Sequence, residues 1–186
     1  VSPASLDAAY FDGIYAAADD PWSFATSAYE AEKYATSLRV LERPSYERAL
    51  EIGSSIGVFT AALAARCGQL LALDISEQAL VRARERNRLN ANVRFERARI
   101  PAEFPHGTFD LITLSEVGYY WNDRDAADAR DALARALETG ASLLLVHFLP
   151  KVDDYLRDGD GVHEPYLRDE RFALVHAARR ERYRVD

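Results

Sequence analysis

From Tyr46 to the end of the chain, seven short apolar runs alternate with longer stretches of helical periodicity. The runs lie at 49–53 ("ALEIG"), 70–75 ("LLALDI"), 93–98, 109–115 ("FDLITLS"), 142–148 ("SLLLVHF"), 172–178 and 182–185, and the helical patterns at 57–66, 76–89 and 123–138. Strands that are apolar on both faces need cover on both sides, and strands separated by helices pair in parallel. The pattern therefore predicts a doubly wound α/β fold. In such folds a ligand sits beyond the carboxyl ends of the strands, near the switch in strand order.

Ahead of this unit, residues 5–19 are alanine-rich, interrupted by Gly13, and lead to "DDPW" (Asp19 to Trp22), whose proline should end any helix. A short helix and a loop are expected there. "SAYE" (Ser27 to Glu30) then has the form of a capping box and opens a periodic stretch to Leu41, stopped at Pro44. Residues 1–45 read as an N-terminal helical cap segment and 46–186 as the α/β unit, within one structural domain.

At 186 residues and 48% hydrophobic content the chain is long enough for one core. A formal charge of −7 argues against a nucleic-acid or anionic-membrane footprint, although 21 of the 23 basic residues are arginine. A small or neutral partner is expected, and nothing marks an interface, so the oligomeric state stays open. Cys67 is the one cysteine, which rules out an internal disulfide and a cysteine metal site and suits a reducing cytoplasm. No apolar run approaches the ~18 residues of a membrane span, and no basic region precedes an apolar one at the start, so export is not expected. The chain begins at Val1 and stops at Asp186, directly after strand-like sequence. Trimming at one or both ends is the expectation.

The turn in "LEIGSSIGVF" asks which ligand it holds. A dinucleotide fingerprint started at Gly53 would need glycines where Ser55 and Val58 stand, and a phosphate-binding loop would need a lysine that is absent nearby. What remains is acid-x-Gly-x-x-x-Gly, with a second acid, Asp74, 23 positions after Glu51 at the end of the next strand. A carboxylate there can accept hydrogen bonds from both ribose hydroxyls. Asp74 and Ser76 also read as a helix start with serine as N-cap, and both roles can hold together.

These residues carry a resemblance. "ALEIGSSIGVFTAALA" with "LLALDIS" resembles motifs I and II of class I S-adenosylmethionine-dependent methyltransferases, "FDLITLSEVGYYW" resembles their motif IV, and "ALETGASLLLVHF" is similar to the segment before their fifth strand. "DDPWSFATSAYEAEKY", "SEVGYYW" and "GDGVHE" are similar to the branch named for the rhizobial nodulation N-methyltransferases, the NodS-like branch. The resemblance covers about residues 20–186. It implies a Rossmann-like fold with a seven-stranded, mostly parallel sheet and helices on both faces, S-adenosyl-L-methionine as cofactor, and transfer of its methyl group to a small-molecule acceptor. The amine of a glucosamine-type saccharide is the acceptor the branch suggests. Another small metabolite methylated on oxygen or nitrogen, or a cofactor-binding module without catalysis, stays open.

The same resemblance implies a cofactor site at Glu51, Gly53, Ser55, Gly57, Asp74, Ile75, Arg99, Ile100 and Ser115. Two positions depart from the family. Ser55 replaces a common middle glycine, which widens the approach to the methionine part, and Ala98-Arg99-Ile100 stands where an aspartate often faces adenine, leaving backbone and apolar contacts. Glu116 and His147 are candidate bases, with Tyr120 as an orienting hydroxyl, since an amine must be neutral when it attacks. Glu116 reads also as a strand-end acid in water, and a lone histidine such as His147 is more often structural. Trp22, Tyr29, Tyr119 and His163 are candidate acceptor contacts, the aromatics reading also as core. Asp158, Asp160, His163 and Glu164 in "RDGDGVHE" offer oxygen and imidazole ligands, but the glycines argue for a mobile loop rather than a metal.

Overall fold

The computed structural model describes residues 3–186. Two helices, α1 (Ala8–Ala17) and α2 (Ala28–Val40), precede an alternating unit: β1 (Tyr46–Ile52), α3 (Val58–Ala64), β2 (Cys67–Asp74), α4 (Glu77–Arg86), β3 (Val93–Arg97) and β4 (Phe109–Ser115). After a 3₁₀ turn at Gly118–Tyr120 come α5 (Asp123–Ala136), β5 (Leu137–Phe148), α6 (Gly159–Leu167), β6 (Ala178–Arg179) and β7 (Tyr183–Val185). The seven strands form one sheet in the order β3-β2-β1-β4-β5-β7-β6. Strand β7 runs antiparallel to both β5 and β6, and the pairings among β1 to β5 are parallel. The expected class is found, with the order reversing beside β1.

Alternation within the strands builds two cores. Leu50, Ile52, Ile112, Leu114 and Leu145 point to one face and bury against Ala129, Leu133 and Ala136 of α5. Ala49, Leu70, Leu111, Leu144 and Val146 point to the other, against Phe59 and Leu63 of α3. A smaller cluster, in which Phe11 and Tyr15 of α1 pack with Ile56, Tyr119 and Tyr120, spans the carboxyl edge of the sheet. That last cluster attaches the N-terminal segment to the ligand end of the fold.

Local chemistry sets the helix starts. Ser76, Asn122 and Asp158 each accept a backbone N–H three residues on, at 3.3, 2.9 and 2.7 Å. Ser27 caps α2 by accepting the Glu30 N–H, but the Glu30 side chain turns to Lys33 instead of back to the cap, so half of the expected capping box forms. Gly13 lies within α1 without breaking it.

Two expectations need correction. Residues 172–178 contribute only Ala178 to β6; Phe172 packs on Tyr166, while Leu174 and Val175 face solvent. β7 takes the place beside β5, so most of that apolar run has no ladder to join. "RDGDGVHE" is the start of α6 and not a mobile loop, because the Asp158 cap holds the first turn despite two glycines. No helix among the described residues is long and apolar enough to cross a membrane.

Candidate functional site

A cavity of about 410 Å³ opens at the carboxyl ends of β1, β2 and β4, with walls from α1, α2 and the segment between them. Its size falls in the range of small-molecule sites.

The floor is the turn after β1. Gly53 (φ 88°), Ser55 (φ 49°) and Gly57 (φ 76°) all adopt left-handed backbone. Glycine is required at the first and last: a Cβ on Gly53 would collide with Val117, and one on Gly57 would lie 3.0 Å from the Cα of Ala83. Ser55 holds its strained conformation through two anchors, its N–H donating to Asp74 Oδ2 at 2.8 Å and its hydroxyl lying 2.6 Å from that of Tyr15. Asp74 thus closes the turn from the end of β2, and its Oδ1 accepts the Ser76 N–H at 2.9 Å. Each oxygen keeps a further lone pair, and the side chain lines the cavity. Burial pushes this carboxyl up to about 6 against the pull of the amides, with Asp12 adding to the rise. Ile75, Ala98, Arg99 and Ile100 line the wall beside it.

The opposite wall is a polar cluster under α2. Lys33 Nζ lies 2.5 Å from Glu116 Oε1 and 2.9 Å from Glu30. Glu116 stands at φ 58°, and its other oxygen accepts the Tyr119 hydroxyl and the Phe148 N–H at 3.1 Å. Burial lowers the Lys33 pKa, yet Glu116 and Glu30 outweigh it and hold the ammonium above its ordinary range. Burial also raises Glu30, opposed by Lys33. Two carboxylates around one ammonium leave this wall with a net negative charge. Aromatic side chains surround it: Tyr119 stacks on Tyr155 with ring centroids 3.9 Å apart, Tyr120 meets both edge-on, and Tyr15 meets Trp22 at 5.5 Å.

Gly53, Ser55, Asp74, Ile75, Arg99, Ile100, Ser115, Glu116, Tyr119, Tyr120, Trp22 and Tyr29 therefore meet at one cavity. Four expected residues do not reach it. His147 is fully buried; its Nε2 accepts the Gly118 N–H at 3.1 Å and its Nδ1 lies 3.0 Å from His163 Nε2. His163 Nδ1 in turn contacts Asp186 Oδ2 at 2.8 Å. Since His147 Nε2 is an acceptor, its Nδ1–H donates to His163, whose Nδ1–H donates to Asp186. Burial, with Lys33 adding to it, pushes His147 well below its ordinary range, and the bonds to Gly118 and Asp186 make both rings structural ties with no nitrogen left for an acceptor. Gly57 caps α3 behind the turn, and Glu51 is buried beneath it, its carboxyl pushed up to about 7 by burial and Oε2 without a partner. The candidate metal ligands diverge: Asp158 caps a helix, Asp160 pairs with Arg184 at 3.0 Å, and Glu164 pairs with Arg168 at 2.6 Å.

Sequence reasoning missed Lys33, Glu30, Tyr15, Tyr155 and Arg182, all of which line the cavity. Only Lys33 carried a usable signal, as a lysine three residues after Glu30 on a helix otherwise packed by Tyr29, Tyr34 and Leu38.

Comparison with known proteins places these features in context. The family model described as Nodulation protein S (NodS) matches residues 14–145. Nodulation protein S of Bradyrhizobium diazoefficiens is 38% identical over 108 residues, 58% of this chain and 52% of that protein. The protein of the same name from Rhizobium tropici is 33% identical over 132 residues, 69% of this chain and 55% of the other. The chain thus spans about half the length of these relatives. Among solved structures, N-methyltransferase NodS from Bradyrhizobium japonicum WM9 in complex with S-adenosyl-L-homocysteine superposes with a TM-score of 0.70 at 29% identity, covering 76% of this chain and 73% of that one.

Proposed function

The chain belongs to the Nodulation protein S (NodS) family, on the class I methyltransferase fold, and from that premise we propose that it transfers a methyl group from S-adenosylmethionine to the amine of a small acceptor, a glucosamine-type saccharide. The observation that carries this reading is Asp74: a carboxylate braced by the Ser55 and Ser76 amides, with free lone pairs toward a cavity whose far wall holds Glu116.

The cofactor fits the residues present. Asp74 would take the ribose hydroxyls, Ile75, Ala98 and Ile100 supply apolar surface for adenine, and the turn from Gly53 to Ser55 lets backbone approach the amino-acid end. When bound, S-adenosylmethionine supplies an electrophilic methyl group on a sulfonium leaving group.

The chain's own residues then align and stabilise. Glu30, Lys33 and Glu116 present net negative charge where an attacking amine gains positive charge, and Tyr119, Tyr120, Tyr155 and Trp22 offer π faces that favour a cation. Glu116 is held by Lys33, Tyr119 and Phe148, so it acts through its field and geometry more than as a proton acceptor. This favours nitrogen over oxygen. An alcohol must lose its proton as it attacks, which calls for an accessible base, whereas a neutral amine needs chiefly alignment and charge stabilisation.

Calorimetric titration with S-adenosyl-L-homocysteine, with NADH as control, tests the cofactor, and transfer of labelled methyl from S-adenosylmethionine to glucosamine oligosaccharides tests the acceptor. Micromolar binding with no NADH signal and label on nitrogen are expected. Absence of binding would refute the cofactor, and label on oxygen alone would refute the amine.

A further inference from the structure

Three cations line the cavity, and two of them are engaged: Lys33 by Glu30 and Glu116, and Arg99 by Asp125 at 4.0 Å. Arg182 differs. Among the described residues it has no carboxylate within 4.0 Å, and its guanidinium donates no hydrogen bond.

The backbone of Arg182 is nevertheless pinned. Its carbonyl accepts the Leu149 N–H at 2.9 Å, just beyond the end of β5, and the Tyr29 hydroxyl at 3.4 Å. Its guanidinium carbon sits 4.6 Å from the Tyr29 ring centroid and 5.3 Å from that of Phe148, two further residues of the cavity wall. Aromatic contact restricts the long side chain, which is exposed, while leaving its planar fork of donors without a protein partner among the described residues and open to a carboxylate or phosphate. Tyr29 also lies 5.2 Å from Lys33 Nζ, so the same ring adjoins both the carboxylate wall facing the amine and the unpaired guanidinium.

Building on the methyltransferase reading, we propose that Arg182 is a specificity-determining residue that binds an anionic group, carboxylate or phosphate, carried by the acceptor beside its amine. The acceptor then carries a neutral amine, whose nitrogen faces Glu30 and Glu116 as it gains positive charge on methylation, and an anion held by Arg182. A neutral aminosugar would leave the guanidinium unused.

The test titrates wild type, Arg182→Met and Arg182→Lys with glucosamine, glucosamine 6-phosphate and glucosaminuronic acid, with S-adenosyl-L-homocysteine titrated in parallel. Wild type should bind one of the anionic sugars about tenfold more tightly than glucosamine, as expected for one charge-assisted contact. Which of the two leads identifies the anion. Arg182→Met should bring all three sugars within about twofold of one another, and Arg182→Lys should keep part of the preference. Equal affinities in wild type, or a preference that survives Arg182→Met, would overturn the assignment. Loss of S-adenosyl-L-homocysteine affinity in Arg182→Met would also overturn it, by moving the arginine to the cofactor's own carboxylate. Anion preference in a wild type that binds no S-adenosyl-L-homocysteine would refute the methyltransferase reading while supporting the anion site.

Discussion

Replacing Lys33 with methionine keeps most of the side-chain stem and removes the one positive charge that two buried carboxylates share. The three side chains are nearly closed to solvent, at 2% for Lys33, 8% for Glu30 and 16% for Glu116, so water screens the pair poorly. Removing one partner of a buried ion pair costs about 3–5 kcal/mol, because the remaining charge stays desolvated. Glu116 keeps its bonds from Tyr119 and Phe148, whereas the more buried Glu30 loses the Lys33 ammonium, so the cost falls mainly on Glu30. For a chain of this length the loss corresponds to a fall in Tm of about 6–20 °C.

The sign with pH follows from Glu30. Burial already raises its pKa and Lys33 pulls it down, so the substitution raises it further in the folded state alone. Folded protein then binds a proton that unfolded protein has released, and stability declines as pH rises above the ordinary carboxylate range. Thermal unfolding followed by circular dichroism should therefore show a larger deficit at about pH 8 than at about pH 5. Lys33→Met/Glu30→Gln should recover at least about half of the loss. A fall in Tm of less than about 3 °C, or a deficit equal at both pH values, would refute the reasoning.

Four further outcomes are expected. Asp74→Asn should weaken S-adenosyl-L-homocysteine binding about a hundredfold with the fold intact by circular dichroism, since charge-assisted bonds to the ribose are lost. Because the Asp74 carboxyl is held up to about 6, wild-type affinity should also weaken as pH falls through that value while the variant's stays level, and a level wild-type profile would count against the ribose role. Glu116→Gln should lower kcat at least about tenfold with S-adenosyl-L-homocysteine affinity within about twofold, and equal loss of both would move Glu116 to the cofactor. Gly57→Ala should lower Tm by about 2–8 °C, from about 1–2 kcal/mol of left-handed strain before any repacking against Ala83; an unchanged Tm would show that the turn relaxes.

The alternation of apolar runs with helical stretches was enough to specify a parallel sheet with helices on both faces, because β1, β4 and β5 must bury both sides of each strand. The spacing of Gly53, Gly57 and Asp74 was legible for the same reason: left-handed backbone and an acid at a strand end are local requirements that only a few residue types meet. Apolar content alone misled at 172–178, where a strand forms only if a neighbour offers an open ladder. The local pattern also misled at 158–164, where one cap outweighed two glycines.

Tertiary structure alone decided which polar groups meet. Glu116 and Lys33 lie 83 positions apart, and their pairing depends on how α2 lies across the end of β4. His147 and His163 had the residue type of catalysis, but packing turned them toward Gly118 and Asp186. Arg182 reaches the cavity because β7 pairs antiparallel with β5 and brings the residue before Tyr183 beside Phe148. Periodicity and turn chemistry are properties of neighbours along the chain, so one sequence displays them. Desolvation and charge pairing belong to neighbours in space, which only the packed fold creates.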